Sequence, residues 1–510
     1  MNPRIKLSPP GRHLRRFAFL AVLCTAPVAL APSLTVAQNL PSLGDTERAE
    51  LSPAMERKLG EQIMRDIRRD RDYLDDEPVL EYLNAFGNGL VATRPEARGE
   101  AGYDYTFFAV RDGMLNAFAL PGGFIGVHSA LILAAQNESE LASVLAHEVG
   151  HVAQRHIARM LGQQRQDALI PLASAVLAAL AARGSPDASA ALLMGGQGIA
   201  LQRQLNFSRD AEREADRIGL QILRDAGFDT SGMISFFGRV QSASRNYTDV
   251  PVYLRSHPLT TERIADIQAR TRDQRYRQRR DSLDFHLVRA RVRVLQDISM
   301  QGLRDATVAF DNQLQQKTPL QTASALYGKA VVALRQGAPA RAQALYQEAM
   351  AAVQSLPGQG QSTLLTQLAI DIRLAAGQHA EALKEADAAR QKFPTARGIA
   401  RQYADALVAA GRAEDAVRYL RDQVQLYREE PKLYEQLARV YAVQGKQALQ
   451  HLALAEAYAL SGSVPAAVDQ LGIARRSSDA SFYDQAVIDA REREFKARWM
   501  EEMKEGQQRY

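Results

Sequence analysis

Apolar residues recur at three and four spacing in "SPAMERKLGEQIMRDI" and "DEPVLEYLNAFGNGLV", with Ser or Asp at the starts, so the chain from about 47 to 95 predicts helices. The period then changes. "YTFFAV", "MLNAFAL" and "FIGVH" alternate β-branched and aromatic residues between the turns "RDG" and "PGG", which predicts three short strands joined as a meander. Helical spacing returns in "ESELASVLAHEVGHVAQRHIARM". There Asn137 stands at the N-cap position with Glu140 three residues on, and only Gly150 interrupts the run. Residues 168–202 form two apolar helical stretches around a Gly-Ser-Pro turn, and "SRDAEREADRIG" predicts another helix that starts near Ser208.

Beyond residue 300 the chain is a run of Ala-rich helices with a period. Gly377, Gly411 and Gly445 are 34 residues apart, and Gly337, Gly377, Gly411 and Gly462 are each followed five residues later by Ala342, Ala382, Ala416 and Ala467. Pro357, Pro394 and Pro431 are expected to close the second helices. A 34-residue helix-turn-helix unit with Gly at the turn and Ala at the helix crossing resembles the tetratricopeptide repeat. The unit after Gly445 is irregular, with Gln450 where Ala is expected. Ala-rich helices of an ordinary bundle would share part of this pattern.

At 510 residues, 46% hydrophobic and 24% charged, the chain is globular material with room for two or three cores. Its start follows another logic. Arg4, Lys6, Arg12, Arg15 and Arg16 precede the apolar run "FAFLAVLCTAPVALA", and the small residues Thr35 and Ala37 follow, which predicts a cleavable export signal over residues 1–37. Removing those five basic residues from 63 Lys and Arg leaves 58, equal to the 58 Asp and Glu. A nucleic-acid footprint needs a surviving basic excess, so no nucleic-acid partner is expected. Cys24, the one cysteine, leaves with the signal, unless it is a lipidation site, which the preceding Leu23 disfavours. A metal in the mature chain must then be held by His, Asp or Glu. The expected organisation is signal peptide 1–37, a catalytic domain over 38–290 and a repeat domain over 300–500.

His147 and His151 stand one helical turn apart on the same face, with Glu148 beside the first. Imidazoles at that spacing can close on one zinc ion at about 2.0–2.1 Å without distorting the backbone. A carboxylate at Glu148 can take a proton from water as it attacks a carbonyl. The H-E-x-x-H pattern is a metalloprotease signature, and it needs a third ligand. Glu212 and Asp216 share a face of the next polar helix, while Glu214 points roughly the opposite way. One carboxylate of that face can bind zinc and the other can accept the free N–H of a ligating histidine. Alone, "EREAD" would also fit a solvated charged helix.

"NAFALPGGFIGVHSAL", "NESELASVLAHEVGHVAQRH", "EREADRIGLQIL" and "HPLTTERIADI" follow in the order of the successive blocks of the M48 zinc metallopeptidases. On these motifs, over roughly residues 80–270, the chain resembles that family. The resemblance implies an α+β zincin-like metallopeptidase domain, followed here by an all-α tetratricopeptide-repeat solenoid. It also implies His147, His151 and Glu212 as ligands of one Zn2+ per chain, Glu148 as general base and Asp216 as the carboxylate behind the ligands. In the family the histidine and arginine of "HPLTTERI" lie near the metal, which implicates His257 and Arg263. Two roles are open for His257: steadying the oxyanion of the tetrahedral intermediate, or occupying a fourth zinc position and excluding the catalytic water. A capping or packing histidine before Pro258 would share its spacing. The implied activity is zinc-dependent endopeptidase cleavage, with Glu148 moving a proton from water to the leaving amine and Arg263 or His257 at the oxyanion.

Other residues read more plainly. His156 falls about half a turn off the His147 face and reads as a surface or packing histidine. His128 reads as buried and hydrogen-bonded, and His286, His379 and His451 carry no ligand spacing. "MLNAFALPGG" is a candidate edge strand on which an extended substrate could pair. The 168–202 hairpin, broken by Pro171, reads as a mobile cover for the cleft with possible peripheral contact to a membrane or to unfolded substrate; a core hairpin would look the same.

With an export signal in front and repeats behind, the resemblance further implies a periplasmic location and a role, partly chaperone-like, in assembly and quality control of outer-membrane β-barrel proteins. Unfolded or stalled outer-membrane proteins would be the clients, with the barrel-assembly machinery met through the repeats. Composition and spacing do not show that client class. The alternative is a non-catalytic chaperone or adaptor with a latent zinc site, although such a site should have lost a ligand or Glu148 and this one has lost none. A zinc hydrolase of non-peptide substrates is less favoured, given the edge-strand candidate.

Overall fold

The computed structural model describes residues 51–99, 101–162, 209–246, 252–272, 279–356 and 361–507. The expected signal, Cys24 and the 168–202 hairpin lie outside the described residues. Helices α1 (Pro53–Ile67) and α2 (Glu77–Ala92) begin where their sequence says they should. The Ser52 and Asp76 side chains accept from the amides of Met55 and Val79, and a proline fills the first turn of each helix, where no amide donor is missed.

The sheet comprises β1 (Thr106–Val110), β2 (Ala117–Leu120) and β3 (Phe124–His128). "PGG" closes the β2–β3 hairpin as expected, with Leu120 opposite Phe124 and Gly122 and Gly123 at φ 78° and 92°. The meander does not form. β1 pairs with β3 in parallel, Thr106 opposite Phe124, so the order is β1-β3-β2. At "RDG" Asp112 accepts from the Met114 amide, and its own amide and carbonyl bond the Ser129 hydroxyl, so the chain is carried past β1 and across the sheet. A local turn pattern marks a bend; which strand the chain then meets is decided by packing. β2 is left on an edge, as the sequence suggested for "MLNAFAL".

Helix α3 (Ser129–Ala134) leads to α4 (Glu138–Ala153), capped by Asn137 Oδ1 on the Glu140 amide. Every residue of α4 is buried, so it is a central helix rather than an amphipathic one. Beyond α5 (His156–Gly162), α6 (Arg209–Asp225) packs along α4 at close range. Glycines set that distance: a Cβ on Gly150 would lie 2.9 Å from the Ala215 backbone, and one on Gly219 would lie 3.1 Å from the His147 amide nitrogen. Helices α7 (Ser231–Asn246), α8 (Val252–Ser256) and α9 (Thr261–Thr271) complete the surroundings of the site.

From α10 (Leu283–Gln296) onward the described chain is all helical: α11 (Met300–Leu314), α12 (Pro319–Arg335), α13 (Pro339–Gln354), α14 (Thr363–Ala375), α15 (His379–Lys392), α16 (Arg397–Ala409), α17 (Ala413–Leu426), α18 (Pro431–Val443), α19 (Gln447–Leu460), α20 (Val464–Arg476) and α21 (Phe482–Gln507). One apolar cluster runs unbroken from Leu74 on the sheet side to Ile372 in α14. Gly337, Gly377, Gly411, Gly445 and Gly462 all take φ between 69° and 76° at inter-helix turns. Ala342, Ala382, Ala416 and Ala467 are fully buried, where a larger side chain would separate the helices. A side-chain bond repeats with the period: Gln402 Nε2 donates to Gln367 O and Asp371 Oδ1, and Gln436 Nε2 donates to Arg401 O and Asp405 Oδ1. Pro431 opens α18 rather than closing α17, in the first-turn position that suits a residue without an amide proton.

Candidate metal centre

α4 presents the His147 and His151 imidazoles with ring centroids 4.7 Å apart. The close α4–α6 crossing brings Glu212 to the same point, and the end of α8 adds His257, whose ring lies 4.9 Å from that of Tyr253. His147 Nε2 is 3.0 Å from His151 Nε2 and 3.3 Å from His257 Nδ1. Glu212 Oε1 is 3.1 Å from His257 Nδ1 and 3.3 Å from His151 Nε2. Donors at about 2.0–2.1 Å from a zinc ion stand about 3.3 Å apart at the corners of a tetrahedron, and these four separations are close to that spacing. None of the four residues is more than 1% exposed. Four lone-pair donors crowded out of water are unfavourable unless a cation lies among them, and the nitrogen and oxygen set suits zinc.

Behind the candidate ligands, His147 Nδ1 is 3.0 Å from Asp216 Oδ1. Arg263 fixes Asp216 from the other side, Nε to Oδ2 at 2.7 Å and Nη2 to Oδ1 at 2.8 Å. Its Nη1 goes to Pro258 O at 2.9 Å and Glu212 Oε2 at 2.7 Å, so the guanidinium is turned toward carboxylates rather than toward open space. Burial opposes ionisation of Glu212 and Asp216. The histidines around Glu212, and His147 with Arg263 around Asp216, outweigh it and hold both carboxyls below their usual range. Burial pushes the His151 pKa well down, which favours the neutral imidazole a metal needs. At His147 burial is outweighed by Asp216 and Glu212, which raise its pKa to about 10, so a cation bound there displaces a proton.

Glu148 is fully buried, and neither carboxylate oxygen has a well-aligned hydrogen bond. Burial raises its pKa. The charges of His257 and His147 and the Ala119 amide on edge strand β2 offset this only in part. His257 Nε2 is 3.5 Å from Glu148 Oε1, so the general-base candidate faces the same ring that completes the ligand cluster.

The structure brings all seven sequence candidates together and adds two that the helical spacing set aside. His156 is buried, with its Nδ1 2.9 Å from His151 Nδ1 and its Nε2 3.0 Å from Glu214 Oε2. Glu214 is in turn paired with Arg159 at 2.7 Å. Of the surface or packing reading of His156, burial excludes the surface alternative. The remaining signal was the histidine itself, five residues past a ligand and beyond the end of the helix. His128 is buried as expected, with Nδ1 3.0 Å from Met114 O.

The family model for peptidase family M48 matches residues 82–271, which include the whole site. The beta-barrel assembly-enhancing protease of Yersinia pestis is 31% identical over 478 residues, 92% of this chain and 95% of that protein. The chain belongs to peptidase family M48. A Vibrio cholerae relative is 36% identical over 323 residues, 62% of this chain and 64% of its own length. The mitochondrial metalloendopeptidase of Schizosaccharomyces pombe is 32% identical over 170 residues, 33% of this chain and 48% of that protein. As an M48 member with this buried donor set, the protein is a zinc metalloendopeptidase with one zinc site.

Proposed function

We propose that this M48 peptidase works in the periplasm in the assembly and quality control of outer-membrane β-barrel proteins. In this reading the helices beyond α10 act as tetratricopeptide-like repeats that bind clients or the barrel-assembly machinery. The client class is supported by the name of the Yersinia relative, which aligns over nearly its full length. The repeat reading is supported by the glycine turns and the 34-residue recurrence of the Gln–Asp bond.

The observation that carries catalysis is Glu148, a buried carboxylate without a settled partner beside the ligand cluster. Zinc, when bound by His147, His151 and Glu212, supplies Lewis acidity toward the scissile carbonyl. Glu148, its affinity for a proton raised by burial, takes the proton of the attacking water and returns it to the leaving amine. Asp216 holds the His147 tautomer and Arg263 holds Asp216, which assigns Arg263 to positioning ahead of oxyanion binding. Edge strand β2 carries no further strand among the described residues, so its outer edge is assigned as the seat for an extended peptide. His257, with Nδ1 in the ligand cluster, is assigned the fourth position, from which it must withdraw before substrate enters.

The test is a matched assay of zinc per chain and cleavage of an unfolded protein for wild type, Glu148→Gln and His257→Ala. Glu148→Gln should keep its zinc and lose cleavage by about 10²-fold or more, and retained zinc-dependent proteolysis in that variant would overturn the mechanism. Faster cleavage by His257→Ala is expected of a residue that occupies the entry position. Zinc without cleavage in any variant would move the binding role of the helices ahead of catalysis.

A further inference from the structure

Helix α10 carries Arg289, Arg291 and Arg293, and among the described residues only the middle one pairs with a carboxylate. Arg291 is held by both oxygens of Asp76, at 2.6 and 2.9 Å. Arg289 and Arg293, four residues apart, fall on the other face and line a cavity of about 480 Å³ between α10, α11, the start of α12 and the connection from α3 to α4. Among the described residues no aspartate or glutamate lines that cavity, and His286 is its one further titratable side chain. Its walls instead offer the carboxamides of Gln136, Asn312 and Gln316. Arg289 gives Nη2 to Leu133 O at 2.9 Å and lies over the Phe285 ring, and its buried Nε has no hydrogen-bond partner.

The neighbouring carboxylates are committed elsewhere. Asp281 accepts from the Glu138 amide and faces His286 Nε2 at 3.1 Å. Glu140 accepts from the Gln136 amide and the Ser235 hydroxyl and pairs with Arg239. Burial lowers the pKa of both Arg289 and Arg293, and their mutual repulsion adds to it at Arg289. The charges of Asp281 and Glu140 offset this only in part at Arg289, and no carboxylate acts on Arg293, where burial alone sets the direction. An anion between them would offset both the burial and the repulsion.

We propose that this cavity is an oxyanion site that takes a phosphate group, as free phosphate or as a phospholipid headgroup. One guanidinium fork satisfies the two oxygens of a carboxylate, whereas two forks with side-chain amides beside them match the larger oxygen set of a phosphate. The site is separate from the zinc cluster and does not rest on the proposed proteolysis. Gln136 directly precedes the Asn137 cap of the zinc-binding helix, so an occupant touches the segment that leads into α4.

Two measurements on the full chain test it, each with wild type, Arg293→Gln and the double variant Arg289→Gln, Arg293→Gln. Arg293 makes no hydrogen bond or ion pair among the described residues, so its single variant should fold and hold zinc as wild type does. Calorimetric titration with inorganic phosphate against a chloride background of equal ionic strength should show one saturable site in wild type. Its affinity should fall at least tenfold in Arg293→Gln and the site should vanish in the double variant. Equal phosphate effects in wild type and both variants would mark general salt exclusion and overturn the proposal. Flotation with phosphatidylglycerol and phosphatidylcholine vesicles separates the sources. Arginine-dependent binding to phosphatidylglycerol identifies a headgroup, and phosphate titration without vesicle binding identifies the free ion. Neither phosphate nor vesicle binding in wild type would also overturn it.

Discussion

Arg155 sits just beyond α4 with φ 52°, a left-handed conformation that a residue with a Cβ resists. A buried cluster holds it there: Arg155 Nε donates to Glu56 Oε1 at 2.7 Å, and the Tyr103 hydroxyl donates to Glu56 Oε2 at 2.6 Å. That turn swings His156 back against His151, which is why helical spacing misplaced it. If His151 Nε2 faces the metal, its Nδ1–H donates to His156 Nδ1, and His156 Nε2–H donates to Glu214. The chain of bonds fixes the ligating tautomer. His156→Ala should therefore weaken zinc binding by roughly 10–100-fold in a chelator competition, with helical content unchanged. Wild-type zinc affinity in that variant would remove the role. At this scale His147, Glu148, His151, Glu212 and Asp216 were legible, because residues one turn apart on a helix must share a face. His156 was not, because its position depends on where that helix stops.

At the scale of elements, the α4–α6 crossing sets two effects against each other. Helix propensity alone would make Gly150→Ala stabilising by about 1 kcal/mol. The new Cβ would lie 2.9 Å from the Cα and carbonyl oxygen of Ala215, which are backbone and cannot turn aside. Overpacking of this kind costs about 1–3 kcal/mol, so the crossing should win. Gly150→Ala is expected to unfold at lower denaturant and to bind zinc less tightly, since Glu212 rides on α6. A gain in stability would show that the helices separate freely. Helix starts were legible because Ser52, Asp76 and Asn137 cap amides within three residues of themselves. The sheet order was not, because β1 and β3 are joined by pairing across a longer stretch of chain.

Across the whole molecule, α10 joins the peptidase core to the helices that follow it. Arg291 and Asp76 are both about 9% exposed on their side chains, and Asp76 also caps α2. Arg291→Gln leaves a buried carboxylate unpaired and should cost roughly 3–5 kcal/mol in denaturant unfolding, part of it recovered by adding Asp76→Asn. No recovery in the double variant would place the loss elsewhere. Further along, burial raises the pKa of Asp371, whose Oδ1 accepts from Gln402 at 2.6 Å. The folded carboxyl binds its proton more tightly than the unfolded one. Its contribution to stability is thus present at acid pH and lost as pH rises through the raised folded value. Asp371→Asn keeps the acceptor for Gln402, so it should raise the melting temperature near neutral pH and change it little in mild acid; equal shifts at both would exclude a charge origin. The sequence by itself determined what is local: helix caps, the β2–β3 turn, the 34-residue glycine period and the shared faces that carry the candidate zinc ligands. Only the tertiary structure decided what depends on which elements meet. It set β3 between β1 and β2, brought His257 into the ligand cluster, turned His156 onto His151 and left two arginines of α10 facing a cavity. Those outcomes follow from close packing between residues far apart in the chain, which no local period encodes.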